Sequence, residues 1–577
     1  MDDDLSMTSL LRRIDAICRD AFGAAGYDPA SGEVRLSDRP DLADFQCSGL
    51  LRVAKQHKLN PQIAADAVMG HLADNDLFTV EFARPGFLNF TVSDASLIAQ
   101  AAQALDDPEA FLQRNENPQR FLLDYGGPNL AKEMHVGHLR SCIVGQALKT
   151  VLSFAGHHTI SDVHLGDWGL QMGQLISQIA DERPQLLQGE GTLAMADLQE
   201  WYPRASARSK DDTAFRERAR SATAMLQAGK PEYVALWQKV VETSNASLQR
   251  DYGRLGVSFD QWYGESRYQA ALDGLVARLV EEGKAEPSDG AIVVHLPEAE
   301  KLPPLILRNS NGGYGYGATD LATIEDRIEQ DHPDIILYVV DARQKMHFRQ
   351  VFGAADQCGI LGDTRAEHIP FGTVNGTDGK PFKTRAGGVM RLHDLLETMN
   401  RAARDRLEAA GSVPAEDHAA VAEDIAVAAI KFGELSHDRE SNYVFDIDQF
   451  LQFEGKTGPY IQYSCVRVRT LLENAAKDGL QPGAPTIMGT GGRELVLCLD
   501  EFSAQLNRTI EARKPSFLAN HVYKLANRTN SFYQANRVLS EGVAPAAAAS
   551  HLALLRVAMQ QIELCLRLLG INVPKAM

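Results

Sequence analysis

Apolar positions along this chain follow two different periods, and the changes between them divide it into zones. Residues 78–92 read FTVEFARPGFLNFTV. Apolar and polar residues alternate on both sides of Pro85-Gly86, which predicts two short strands joined by a turn. Helical patterns precede them, so residues 1–110 are expected to form a small α+β module. Asp106-Asp107-Pro108 and the stretch 115–118 have the composition of a linker. Two short apolar runs follow, FLLDY at 121–125 and IILYVV at 335–340. Runs this short and this apolar predict parallel strands buried on both faces. With helical stretches between them, residues 118–390 are expected to form a doubly wound α/β domain. Residues of about 185–300 are charged and largely helical in pattern, which predicts a helical insertion. From 391 to 577 the 3.6-residue period dominates, as in HDLLETMNRAARDRLEAAG and HLALLRVAMQQIELCLRLLG. An α-helical bundle is expected there.

Composition narrows the class. The 577 residues exceed what one hydrophobic core holds, so about three to four domains are expected. Apolar residues at 44% and charged residues at 23% are ordinary for a globular chain. The first residues lack the basic and apolar segments of a secretory signal, and no window of about 18 apolar residues occurs. A cytoplasmic chain is expected. Seven scattered cysteines offer no paired half-site for zinc and read as reduced, buried thiols. The net charge of −18 argues against a protein that coats nucleic acid indiscriminately. Residues 461–577, however, hold 13 Lys and Arg against 8 Asp and Glu. A mildly basic end on an acidic body suits recognition of one RNA shape.

The densest chemistry lies in DYGGPNLAKEMHVGHLRS, residues 124–141. It follows the first apolar run and leads into a helical pattern that lasts to Gly156, giving a strand, a tight turn and a helix start. A helix start presents unpaired N–H groups and the positive end of a dipole, which suits phosphate. Pro128 and Asn129 shape the turn. Lys132 adds a cation. His135 and His138 flank Val136 and Gly137, and glycine lets a nucleotide approach the backbone. The bland alternative is a pair of capping histidines.

This segment resembles the His-Ile-Gly-His signature of class I aminoacyl-tRNA synthetases, and with PN-x-AK ahead of it the resemblance is to the arginyl members. LGDWGLQMG (165–173), YGATDLA (316–322), YVVDARQ (338–344), GKPFKTRAGG (379–388) and FEGKTGPYIQYSCVR (453–467) resemble that family in the same order. The resemblance implies a Rossmann-type catalytic domain at 118–390, an additional tRNA-contacting domain at 1–110 and an anticodon-binding bundle at 391–577. The implied reaction joins L-arginine to its tRNA through an arginyl-adenylate. ATP with Mg²⁺ is a substrate, AMP and diphosphate leave, and a monomer without bound zinc is expected.

Residue roles follow from that resemblance. Lys132, His135 and His138 would serve catalysis, together with Lys380 and Lys383. These last two stand in GKPFKTR where the wider class has a Lys-Met-Ser-Lys-Ser loop. A solvated basic turn is the alternative for them. Asp124 and Asp320 would face the substrate guanidinium with Tyr316 beside them, while Asn129 and Gln344 would hold its α-amino and carboxylate end. A planar cation with five donors calls for such acceptors. Tyr316 and Asp320, four apart, share one face of a helix. Asp320 as a helix cap and Asp124 as an ordinary strand-end residue are the alternatives. Tyr460, Tyr463, Arg467, Arg513, Lys524 and Arg528 pair aromatic rings with cations, as RNA-binding faces do. Buried tyrosines and a wet basic face are the alternative there. Three competing functions remain open at this point: a cysteinyl-type ligase, a short nucleotidyltransferase and a non-catalytic RNA-binding paralogue.

Overall fold

The computed structural model of the chain describes residues 9–72, 75–107, 117–297, 301–376, 379–380, 382, 390–540 and 542–577. The chain forms two compact units. One comprises Met1–Arg114, Ala410–Ala428 and Gln452–Met577, and the other Asn115–Ala409 and Ala429–Leu451.

In the first unit, helix Leu10–Ala24 packs with an antiparallel sheet of β1 (Val34–Leu36), β2 (Phe45–Cys47), β3 (Phe78–Ala83) and β4 (Phe87–Val92), in the order β1-β2-β4-β3. The alternation around Pro85-Gly86 becomes the β3–β4 hairpin, with Val80 opposite Phe90. Helices Gly49–His57, Pro61–Met69 and Asp94–Asp106 belong to this unit, as do Gly458–Lys477, Gly492–Asp500, Phe502–Ala512, Ser516–Ala535 and Pro545–Leu568. Asp500 joins the two parts. Its fully buried carboxylate accepts the Leu10 amide at 2.8 Å and the Gln100 side-chain amide at 2.8 Å. It thereby supplies an acceptor to the unpaired N–H groups at the start of helix Leu10–Ala24.

The second unit is built on a four-stranded parallel sheet of β5 (Arg120–Tyr125), β6 (His158–Asp162), β10 (Ile335–Val339) and β11 (Arg365–His368), in the order β11-β10-β5-β6. The two apolar runs are the central strands, with Phe121, Leu122, Leu123, Ile335, Ile336 and Leu337 each at most 1% exposed. The chain leaves β5 toward β6 on one side and returns through β10 on the other. The order therefore reverses between β5 and β10, and a crevice opens there at the carboxyl ends of the strands.

Helices Met195–Asp211, Thr213–Gln227 and Pro231–Arg254 fill much of the insertion and pack on helix Leu170–Glu182. Their shared core includes Leu175, Ile179, Trp201 and Leu236. Helix Leu272–Glu281 follows, and only the end of the insertion departs from the helical expectation. β7 (Glu286–Ser288), β8 (Ala291–Val294) and β9 (Leu305–Arg308) form an antiparallel sheet. Val294, Leu305 and Leu307 bury themselves in the same core as Leu122 and Ile336. Strands of three to four residues are too short for a period to stand out. The helix expected at 393–411 runs Leu392–Ala410, and all but its last residue lies in the second unit, as do residues 429–451. All seven cysteines are free thiols in buried positions.

Candidate active site

The crevice between β5 and β10 is a cleft of about 600 Å³ lined from both strand ends, from the turn after β5 and from the start of helix Tyr316–Asp331. The turn is rigid for identifiable reasons. Gly126 has φ +75°, and its amide donates to Ser141 Oγ at 2.8 Å. Ser141 Oγ in turn donates to the Val339 carbonyl at 2.7 Å, which ties the turn to the end of β10. A Cβ on Gly127 would stand 2.1 Å from the His164 carbonyl oxygen, so no side chain fits. Pro128 is buried, whereas Asn129 is exposed and sits in a parallel bridge with Gly166. Ala131 is held at φ +63°, a costly conformation for a residue with a Cβ, and its amide donates to Ser244 Oγ at 3.0 Å.

His135 is the N-cap of helix Val136–Phe154. Its Nδ1 accepts the Gly137 amide at 3.0 Å, and His138 Nδ1 accepts the His135 amide at 3.2 Å. The capping alternative is therefore real, but it uses only one nitrogen of each ring. With both Nδ1 atoms accepting, the proton of each neutral imidazole sits on Nε2, which remains a donor. The rings lie 4.0 Å apart, centroid to centroid. Burial, with His135 adding to it, holds His138 down to about 3. Burial, then Lys132 and Arg343, lowers His135. A Cβ on Gly137 would come within 2.7 Å of the His135 ring, so this glycine is fixed by the ring packing itself.

The exposed Lys132 lies 4.5 Å from the centroid of the Tyr202 ring. Beyond the basic loop, the Val136 amide donates to the Met390 carbonyl at 3.0 Å and the Leu392 amide to the Met134 carbonyl at 2.8 Å. Met390 and Leu392, which follow that loop, are thus laddered to the histidine turn. Lys380 is exposed at the upstream end, where its carbonyl accepts the Gly376 amide. Lys383 lies outside the described residues. Beneath the turn, Arg140 and Glu434 form a buried ion pair at 2.8 Å that anchors the histidine helix to helix His418–Leu435.

The carboxylates expected around a guanidinium are brought together, with partners the sequence did not announce. Asp320 lines the cleft one turn beyond Tyr316, which is 70% exposed. The helix cap is Gly315, so Asp320 is not the cap. Its Oδ2 meets His347 Nε2 at 2.6 Å, and this contact raises the His347 pKa. Asp124 lies at the cleft floor with Oδ2 bound by Arg327 at 2.7 Å, so it is not a carboxylate held solely for the substrate. A third carboxylate, Glu265, also lines the cleft. Burial first, then Asp167 and Asp320, pushes Glu265 up to about 7. No other described side chain bonds its carboxylate. Its sequence surroundings carry no motif, so only the fold singles it out. Gln344 is exposed at the rim. Past Glu265 and Tyr316 a second cavity of about 990 Å³ continues, lined by Trp168, Gln171, Gln174, Gln227 and Tyr314 among others.

In the first unit, the expected RNA residues divide. Tyr463 is 42% exposed, Arg528 is exposed, and Arg467 stacks on Tyr533 at 4.3 Å. Tyr460 spends its hydroxyl on Asn527 at 2.6 Å. Lys524 is paired with Glu501 at 2.6 Å. Arg513 is a correction to the expected set. It is 8% exposed, its backbone is left-handed at the end of helix Phe502–Ala512, and its guanidinium turns back to the Ile510 carbonyl.

Three family matches cover nearly the whole chain. Residues 100–447 match tRNA synthetases class I (R), catalytic domain; residues 461–577 match the DALR anticodon binding domain; residues 8–92 match the arginyl tRNA synthetase N terminal domain. The arginine–tRNA ligase of Hyphomonas neptunium is 44% identical over 591 residues, covering 99% of this chain and 100% of that one. The chain belongs to the class I arginyl-tRNA synthetase family. A second relative, the arginine–tRNA ligase of Maricaulis maris, is 42% identical over 99% of the chain and 100% of its own length. The fold is shared with the arginyl-tRNA synthetase of Plasmodium falciparum, at a TM-score of 0.80 and 24% identity, covering 98% of this chain and 99% of that one. Membership closes the alternatives of a cysteinyl-type ligase and a short nucleotidyltransferase. Among the described residues no helix is long and apolar enough to cross a membrane.

Proposed function

We propose that the cleft at the ends of β5 and β10 is where this chain performs the reaction of its family, the ATP-dependent joining of L-arginine to tRNA through an arginyl-adenylate. The observation that carries the placement is the convergence of two unlike sets of groups on one cleft. On one side stand His135 and His138, each with Nε2–H free to donate; on the other stand Asp320, Glu265 and Asp124.

Activation needs the arginine carboxylate to attack the α-phosphate of ATP while diphosphate departs. Charge builds on phosphate oxygens, so positioned donors and cations do the work. In this reading His135 and His138 donate to the nucleotide at the helix start, where the dipole adds positive potential. Lys132, Lys380 and Lys383 supply cations toward the diphosphate, and Mg²⁺ enters with ATP. Tyr316 covers the guanidinium subsite, and Asn129 and Gln344 hold the α-amino and carboxylate groups. The adjoining cavity, lined by amides with Trp168 and Tyr314, suits the unpaired 3′ end of the tRNA. The enzyme works in the cytoplasm as a monomer. The reading is tested by arginine-dependent aminoacylation of tRNA, and variants at His138 and Asp320 should separate nucleotide from amino-acid defects.

Glu265 gives this site a pH signature. Its pKa near 7 is raised, so below that pH it is neutral and offers the substrate no charge. A bound guanidinium favours the ionised form, so arginine binding releases a proton. KM for arginine is expected to fall as pH rises through about 7. Glu265→Gln should remove that step while leaving KM for ATP unchanged. A wild-type KM for arginine that is flat from pH 6 to 8 would remove Glu265 from the subsite.

For the tRNA, the exposed Arg528 and Tyr463, with the half-buried Arg467, support a phosphate-and-stacking face on helices Gly458–Lys477 and Ser516–Ala535. Arg528→Gln should lower the slope of log affinity against log salt by about 1 and weaken binding of all tRNA(Arg) species similarly. The same slope in both proteins would move the phosphate contact elsewhere.

A further inference from the structure

We propose that Arg327 is a positioning residue for amino-acid selection: lying beneath the cleft floor, it divides its guanidinium between Asp124 and Asp162 and so sets the charge and orientation of Asp124. This rests on the reading above that Asp124 faces the substrate guanidinium.

Asp124 and Asp162 are register partners at the carboxyl ends of the neighbouring strands β5 and β6. Arg327 comes from helix Tyr316–Asp331, the helix that carries Tyr316 and Asp320. Its Nη2 donates to Asp124 Oδ2 at 2.7 Å and to Asp162 Oδ2 at 2.6 Å. Both Arg327 and Asp162 are sealed, at 1% and 0% exposure, while Asp124 borders the cleft. The Tyr338 ring lies 5.3 Å from the guanidinium.

The arrangement is poor as a stability device. Arg327 Nε and Nη1 and Asp162 Oδ1 are buried without hydrogen-bond partners among the described residues. Each such group is costly, and a neutral apolar filling of this layer would avoid the cost. The arrangement does make sense as a charge setting. Two carboxylates and one guanidinium leave the layer at −1 directly under the place where a cation is to bind. Without Arg327 the two adjacent carboxylates could not both stay ionised, and one would take up a proton. Without Asp162 the cation would be left wholly to Asp124, and the floor would be neutral. Burial opposes the Arg327 charge, but Asp124, Tyr338 and Asp162 outweigh it and raise its pKa further. Burial, with Asp124 adding to it, raises the Asp162 pKa.

The test is steady-state aminoacylation by the full-length protein, reading KM for arginine, KM for ATP and kcat. Arg327→Met should raise KM for arginine about 10–100-fold, the effect of losing one charged hydrogen bond, with KM for ATP within about twofold. Asp162→Asn alone should also raise KM for arginine, because the floor becomes neutral. Added to Arg327→Met, the same Asp162→Asn substitution should lower KM for arginine, because no second carboxylate is left to force a proton onto the pair and Asp124 alone carries the charge. Arg327→Lys, which keeps the charge and loses the fork, should fall between wild type and Arg327→Met. If Arg327→Met does not fold, Asp162→Asn and Arg327→Lys still decide, since both must raise KM for arginine selectively. The inference is overturned if the two KM values move together in Arg327→Met, or if Asp162→Asn has the same sign in both backgrounds. Asp124→Asn separates the two levels. An unchanged KM for arginine in that variant would overturn the placement of the guanidinium and the inference with it. A raised KM there, with a normal one in Arg327→Met, would overturn the inference alone.

Discussion

Asp320→Ala is expected to reduce kcat/KM for arginine by about 10³-fold, and the unaltered chain is expected to prefer arginine to citrulline by about 10⁴-fold. Asp320 is the carboxylate nearest to a dedicated position: it lines the cleft one helical turn beyond Tyr316, held by His347 at 2.6 Å. Removing one partner of a desolvated charge pair costs about 2–5 kcal/mol, much of it from the charge left behind. Here the substrate guanidinium would be left unpaired, and His347 would lose the partner that raises its pKa. Citrulline has the outline of arginine but carries a carbonyl oxygen in place of one NH₂ group. That oxygen would face Asp320, acceptor against acceptor. Sites built around a polar group reject the analogue that lacks it by about 10⁴ or more without a second editing site. Lysine should fail as well, because a point charge cannot bridge planar acceptors. The measurement is aminoacylation at saturating ATP and tRNA with each amino acid in turn. Charging of citrulline within tenfold of arginine, or a normal kcat/KM for arginine in Asp320→Ala, would show that this is not the guanidinium subsite.

His138→Ala should lower kcat by about 10²–10³, the range for losing one preorganised donor to a developing oxyanion, with KM for arginine little changed. Two further features sharpen the expectation. His138 Nδ1 accepts the His135 amide, so the ring is locked with Nε2–H outward. Its pKa is held down to about 3 by burial, so above roughly pH 4 the ring is neutral and its donor does not titrate. The loss in kcat should therefore be as large at pH 6 as at pH 8. The variant's fold is checked by circular dichroism and thermal melting. A folded His138→Ala protein with near-normal kcat would place the nucleotide elsewhere in the cleft.

Much of this site was legible in the sequence because its signals are local. FLLDY and IILYVV are short and largely apolar, as strands buried on both faces are, so β5 and β10 could be read directly. The glycines and proline of GGPN demanded a tight turn, and the apolar period after His135 demanded a helix, which puts the histidines at a helix start whatever the rest of the chain does. Tyr316 and Asp320 share a face because a helix repeats every 3.6 residues. The tertiary structure alone decided what each charged group meets. Arg327 reaches Asp124 across 203 residues of chain, and no periodic pattern encodes that pairing. Glu265 enters the cleft from within the insertion without any motif around it. Arg513 looked like a phosphate contact in composition, yet a left-handed residue at a helix end turned it inward. The cause is the same in each case. Backbone conformation follows from neighbouring residues and from which face must avoid water, so it can be read along the chain. The charge on a side chain depends on burial and on partners brought close by strand order, so it is fixed only when the chain has folded.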